Sequence, residues 1–250
     1  MNLAKIEELK NRLNTLRPLN ETELRRLRDE FITENTYDSN AIEGSALTLR
    51  ETALILQEGV TIAEKPIKDH LDAIGHKDAF DYILSLTDTS AALSERVIKD
   101  IHSLVLMNDP PNRGVYRKMP VIIIGASHTP PQPYLIQVQM ETLISDYGIM
   151  KLDRHIIRAV AEFHLRFESI HPFIDGNGRT GRLILNFELI KAGLLPINIK
   201  FTDRRKYFDC FENYNNSKQA DKLIDLIAGY ESEELQRYIG ILEGRERQNG

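Results

Sequence analysis

At 250 residues the chain can hold one large domain or two small ones. Hydrophobic residues at 42% and charged residues at 28% are those of an ordinary globular protein, and a net charge of −5 from 32 basic and 37 acidic side chains argues against general nucleic-acid binding, which uses a basic surface. The single Cys210 excludes an intramolecular disulfide and suits a reducing, cytoplasmic setting; no apolar run approaches the roughly 18 residues of a membrane span, and residues 1–8 carry no apolar signal core.

Residues 1–36 read as two N-terminal helices. Leu3, Ile6, Leu9, Leu13 and Leu16 form an apolar stripe that Pro18 breaks, and Thr22 is a candidate cap for a second helix carrying Leu24, Leu27, Phe31 and Ile32. Residues 37–50 contain Ser39-Asn-Ala-Ile-Glu43-Gly44, a helical stretch ending with glycine in a C-cap position. Helices continue through residues 46–107: one ends at Gly59, a longer run spans Ile67 to Leu84, and Ser94 caps a third. His70, His76 and His102 fall in or beside these runs and read as structural side chains rather than ligands.

The character changes at residues 108–137. Asn108 to Gly114 is loop sequence, the run Val121, Ile122, Ile123, Ile124 is β-branched, and Gly125 to Pro133 turns the chain. This predicts a short β-hairpin on a helical body. Residues 134–149 return to helix and are expected to end near Gly148. Residues 153–192 read as helix, loop, helix. His171 precedes a proline, so the first helix should end at about Ile170; the second should stop at Gly193. Thr202 or Asp203 caps a run to Asn216, and a last helix fills residues 219–250, with apolar positions from Leu223 to Leu242.

The loop His171-Pro-Phe-Ile-Asp-Gly-Asn-Gly-Arg-Thr-Gly-Arg182 concentrates the chemistry. It opens into a helix N-terminus, where unpartnered N–H groups and the helix dipole favour an anion. Gly176 and Gly178 let the backbone turn and approach a ligand closely, and Arg179 and Arg182 lie at i and i+3. Asp175 would repel phosphate unless a cation lay between them, and a carboxylate plus phosphate oxygens is the usual way Mg²⁺ is held. His171 can exchange a proton near neutral pH. These residues point to a nucleotide phosphate, Mg²⁺ and a general base. There is no G-x-x-x-x-G-K-S/T loop and no kinase motif set. His164, Glu168 and His171 are not expected to hold zinc, because His171 lies beyond the helix end.

The stretch resembles the signature of the Fic (Fido) family, H-P-F-x-D/E-G-N-G-R-x-x-R, with every fixed position matched. The resemblance implies a mainly α-helical bundle, a single domain over residues 1–250 with a Fic core at 51–218, and transfer of AMP from ATP to a Ser, Thr or Tyr hydroxyl of a target protein, self-modification included. By position, His171 resembles the base and Asp175 the Mg²⁺ ligand. Gly176, Asn177 and Gly178 resemble the α- and β-phosphate anchors, and Arg179 and Arg182 the outer phosphate contacts. The expected hairpin, with Val121, Ile122, Ile123, Ile124 and Gly125, resembles the flap that holds the target segment. Tyr207 and Asn215 resemble adenine-side residues, although Ser217 and Lys218 replace the usual glycine and aspartate.

Residues 39–44 resemble the inhibitory motif S/T-x-x-x-E-G/N, which implies that Ser39, Glu43 and Gly44 act on Arg182 from within the chain. A carboxylate on Arg182 removes a γ-phosphate contact and repels phosphate. No C-terminal winged-helix domain of the kind some members carry is expected. Three other readings stay open: removal of AMP with Glu43 aligning water, transfer of a different nucleotide or phosphate-bearing group, and a nucleotide-sensing, partner-binding module without catalysis.

Overall fold

The computed structural model describes residues 3–16, 21–87, 89–123 and 128–246. Its helices are α1 (Leu3–Thr15), α2 (Glu21–Ile42), α3 (Leu49–Glu58), α4 (Ile67–Thr87), α5 (Glu95–Val105), α6 (Pro133–Asp153), α7 (Ile156–Ile170), α8 (Asn177–Lys191), α9 (Arg204–Ser217) and α10 (Asp221–Glu246). Local chemistry sets several ends. Thr48 and Glu51 form a reciprocal capping box on α3, and Gly59 closes that helix at φ 66°. Ser94 accepts from Val97 N–H at the start of α5, and Pro133 opens α6 where its missing N–H costs nothing.

The α7–loop–α8 unit lies at the centre. From Asn177 to Leu189 α8 is buried at almost every residue; Leu183, Ile184, Leu185, Phe187 and Leu189 pack into the core, while the buried Arg179, Arg182, Asn186 and Glu188 are satisfied by hydrogen bonds or ion pairs. One core joins α7 and α8 to α4, α5 and α6 through Phe80, Ile98, Ile101, Met140, Phe163 and Phe187. The second joins the opposite sides of α7 and α8 to α1, α9 and α10 through Ile6, Leu185, Leu189, Tyr207, Leu223 and Ile227. Each fully buried side chain of this size contributes roughly 1.5–3 kcal/mol. With cores on both sides, the loop between α7 and α8 is held at both ends. Among the described residues, no helix is long and apolar enough to cross a membrane.

Some expectations need correction. Thr22 lies inside α2, which begins at Glu21, and α2 runs unbroken to Ile42 past the boundary drawn at residue 36. Gly148 does not end α6, because Tyr147 and Met150 are buried on either side of it and hold the helix to Asp153. Asp203 precedes α9 but makes no side-chain capping bond. The β-hairpin is not formed among the described residues: residues 121–123 are irregular, and no strand is present to pair with them. A two-stranded ribbon without a wider sheet is marginal, and Pro120, Pro130, Pro131 and Pro133 crowd the segment with residues that cannot donate. Ile124 and Gly125 of the expected flap, and Pro18, lie outside the described residues.

Candidate active site

Helix α7 stops at Ile170, and His171 follows it in the left-handed conformation, φ 49° and ψ 60°, with its N–H donating 2.9 Å to Phe167 O. Pro172 cannot continue the helix. The loop is then locked from inside. Asn177 Oδ1 accepts from Phe173 N–H and its Nδ2 donates to Phe173 O, each at 2.9 Å. The Phe173 ring is fully buried and stacks on His102 at 3.6 Å. His102 Nδ1 accepts from Gly114 N–H at 2.8 Å, so its Nε2 carries the proton and donates to Asp175 O at 2.9 Å. Burial holds this imidazole down at about 4, hence neutral. His102 is therefore structural, and so is the Asn177 side chain, whose two ends are both taken by Phe173.

Helix α8 starts after Gly176 at φ 77° without a side-chain cap. Its first N–H groups are those that an anion would meet. The carboxylate of Glu43 already stands there: a Cβ built on Gly178 would overlap Glu43 Oε1. The same oxygen accepts 2.7 Å from Arg182 Nη2. Arg182 also donates to Ser39 Oγ at 3.0 Å through Nε, to Ser39 O at 2.9 Å through Nη2, and to Tyr207 O–H at 3.4 Å through Nη1. Gly44 takes φ 98° and turns the chain just after Glu43. The end of α2 thus delivers Ser39 and Glu43 to one guanidinium.

The two signature arginines diverge. Arg179 is 1% exposed; its Nη1 lies 2.9 Å from Asp72 Oδ1 on α4 and 3.4 Å from Asn40 Oδ1, and its Nη2 is 3.4 Å from Asp175 Oδ1. Arg179 therefore buttresses Asp175 from behind the loop, whereas Arg182 faces the cavity. Asp175 is half-exposed and accepts from Gly176 N–H at 2.6 Å, with Lys68 Nζ at 3.7 Å. Burial pushes its carboxyl up, but the Arg179 and Lys68 cations outweigh this and hold it below the ordinary carboxylate range.

The cavity beside Arg182 has a volume of about 450 Å³, and Glu43, Glu168, His171, Gly178 and Arg182 are among the residues that line it. The His171 side chain is 22% exposed, and burial together with Arg117 holds its imidazole down at about 4, so it is neutral at neutral pH. Its Nδ1 has no partner among the described residues and lies 3.8 Å from Glu168 Oε2. Burial pushes the Glu168 carboxyl up to about 8, assisted by Glu43 and opposed by Arg182. Arg204, Phe208, Phe211, Glu212 and Asn215 also line it. Asn215 Oδ1 accepts from Ser169 Oγ at 3.3 Å. Tyr207 lines the cavity too, but its hydroxyl is engaged by His164 Nε2 at 2.7 Å and by Arg182. Of the expected flap, Ile123 reaches the cavity, Ile122 is 87% exposed, and Val121 is half-buried.

The structure adds residues that sequence reasoning passed over. Glu168 and His128 line the cavity; in the sequence Glu168 stands out only as a member of the rejected zinc set with His164 and His171. Gly181 occupies one of the two unspecified positions between the signature arginines. A Cβ there would stand 2.7 Å from His164 Cε1 and 2.8 Å from Glu168 Oε1. Gly181→Ala is therefore expected to lower stability by about 1–3 kcal/mol through overpacking. In an open helix the same change stabilises by roughly 1 kcal/mol, so a higher denaturant midpoint would contradict the close approach of α7 and α8. Among the described residues, no three His, Cys, Asp or Glu side chains converge to hold a metal. A cation at Asp175 would draw its other ligands from phosphate and water, which is how Mg²⁺ is commonly bound.

Comparison with known proteins gives concordant matches. The model of the Fic/DOC family matches residues 92–189. The chain is 34% identical over 218 residues to the Protein adenylyltransferase Fic of Nematostella vectensis, covering 86% of this chain and 50% of that one. It is 31% identical over 248 residues to Protein adenylyltransferase fic-1 of Caenorhabditis elegans, covering 96% and 47%. The chain thus spans about half the length of the curated relatives it matches. Among solved structures, Fic-1 from C. elegans superposes with a TM-score of 0.84 at 30% identity, covering 95% of this chain and 71% of that one. A Fic domain containing signaling protein from Bacteroides thetaiotaomicron superposes with a TM-score of 0.86 at 25% identity, covering 96% and 97%.

Proposed function

The chain belongs to the Fic/DOC family, and from that premise we propose that it transfers AMP from ATP to a Ser, Thr or Tyr hydroxyl of a target protein and is held inactive by Glu43. The observation that carries this is one contact: a carboxylate, Glu43, sits over the uncapped start of α8 on Arg182, beside a neutral His171. An anion site holding an internal anion is a phosphate site closed from within.

In the open form the ATP phosphates replace the Glu43 carboxylate on Arg182 and on the first N–H groups of α8, around Gly176, Asn177 and Gly178. The α-phosphorus then lies within reach of His171. The acceptor hydroxyl gives its proton to the imidazole as its oxygen attacks the α-phosphorus in line. The bond between that phosphorus and the bridging α–β oxygen breaks, and pyrophosphate leaves. Asp175 would hold Mg²⁺, which would supply charge neutralisation to the phosphates. Arg179 keeps the Asp175 carboxylate ionised and aimed. Positioning and charge supply most of the rate. Asn215, with Phe208 and Phe211, borders the space left for the base, and Tyr207 serves Arg182 more than the base. The segment around Ile123 flanks the entry of the target chain.

Metal dependence tests this reading. A Glu43→Gly chain given ATP labelled at the α-phosphorus should carry label into protein with Mg²⁺ present and none with a chelator. Adding Asp175→Ala should cut the signal at least about tenfold, the loss expected from removing one charged ligand worth about 1.4 kcal/mol or more. Metal-independent labelling would contradict the Asp175 assignment.

A further inference from the structure

Arg117 lies outside the signature, yet it makes more bonds to the end of α7 than any signature residue does. It is 5% exposed. Its N–H donates to Pro172 O at 2.9 Å. Its Nε donates to His171 O at 2.8 Å, and its Nη2 reaches Ile170 O at 3.4 Å. The same guanidinium donates through Nη1 to Met119 O at 3.0 Å and through Nη2 to Pro131 O at 2.7 Å. These side-chain acceptors are all main-chain carbonyls. Two belong to the end of α7 and two to the legs of the loop that borders the cavity. His128 adds a parallel tie, with its Nε2 2.7 Å from Ser169 O.

We infer that Arg117 is a positioning residue: its buried fork locks the segments at 117–123 and 128–131 onto the C-terminal end of α7 and so fixes where the His171 imidazole stands. The inference rests on His171 being the base proposed above. The last carbonyls of a helix lack partners within it, and a cation is favoured there. A guanidinium presents five donors in a rigid plane and can serve carbonyls on both segments at once; an ammonium on a flexible stem cannot hold that geometry. Without the fork, His171 O and the loop legs lose their common anchor, and a base displaced by even about 1 Å loses much of its rate.

The charge adds a second, separable effect. Four groups face the imidazole: Arg117 and His128 from the two legs of the loop, Glu168 from α7, and Glu43 from the turn after α2. After burial, the Arg117 cation is the strongest influence keeping the imidazole unprotonated, and Glu43 works against it. Removing that cation must raise the His171 midpoint, because the protonated form then meets less repulsion.

Two substitutions separate fork from charge. Arg117→Lys keeps the cation and loses the fork; Arg117→Met loses both. In the full chain, the His171 midpoint is read by NMR and assigned by the signal missing in His171→Gln. Arg117→Met should raise it by about half a unit or more, and Arg117→Lys should leave it in place. Both variants should be cut faster by protease within residues 118–123 and 128–131. In the Glu43→Gly background both should lose about tenfold or more in turnover, with ATP affinity within about twofold of the parent. An unmoved midpoint in Arg117→Met, or unchanged cleavage and turnover in Arg117→Lys, would overturn the assignment. If Arg117→Met does not fold, the lysine variant alone decides through cleavage and turnover. If the Glu43→Gly parent itself transfers no AMP, the proposed activity falls, while titration and cleavage still decide the role of Arg117.

Discussion

Glu43→Gly is expected to raise AMP transfer, self-modification included, by at least about tenfold. Glu43 Oε1 stands 2.7 Å from Arg182 Nη2 and against Gly178, where the proposed function puts the ATP phosphates. On the proposed reading, ATP entering productively has to break that pair and pass a like charge, so the carboxylate would raise the barrier for every turnover. Lowering a barrier by about 1.4 kcal/mol suffices for the tenfold gain. Arg182→Ala should not reproduce it. That change releases Glu43 but also removes the guanidinium the phosphates need, so the double variant should behave like Arg182→Ala. Initial rates of label incorporation for the three variants check this order. Unchanged or lower transfer in Glu43→Gly would sink the inhibitory reading, and a loss confined to AMP removal would assign Glu43 to the activation of water.

His171→Ala, made in the Glu43→Gly background, is expected to abolish transfer, a loss of about 10²–10⁴-fold for a missing general base. ATP affinity should hold, because the imidazole is not among the groups that would bind phosphate. The pH profile gives an independent reading. Burial and Arg117 hold the imidazole down at about 4, so the base is unprotonated well below its ordinary range. Transfer should stay level as pH falls through the usual histidine range and drop only on approach to pH 4–5. An acid limb near 6.5, the ordinary histidine value, would mean that His171 is solvated in the working form.

Much of the site was legible because its determinants are local. Pro172 fixes the end of α7, the glycines fix the turn, and α8 begins at Asn177 as the loop-to-helix reading requires. The C-terminal end of α3 and the start of α5 were legible for the same reason, since Gly59 and Ser94 sit within one turn of the groups they satisfy, whereas the Thr48 cap of α3 was missed. What escaped was set by distant partners. Arg179 and Arg182 differ by three residues, but Asp72 on α4 takes one and the end of α2 takes the other. Nothing near Tyr207 in the chain announces that its hydroxyl meets His164 and Arg182. The run at residues 121–124 had strand propensity, yet propensity acts only where a partner strand exists, and among the described residues none lies beside 121–123. Gly148 looked like a helix stop, but the packing of Tyr147 and Met150 outweighs the roughly 1 kcal/mol that glycine costs.

The chemical identity of the transferred group tests the account most directly. The Glu43→Gly chain is incubated with Mg²⁺ and ATP labelled at either the α- or the γ-phosphorus, and protein-bound label is counted after denaturation. The account predicts that α-label enters protein, that γ-label is recovered in pyrophosphate, and that His171→Ala removes the protein-bound signal. Protein carrying γ-label but no α-label would show phosphoryl rather than nucleotidyl transfer and contradict it.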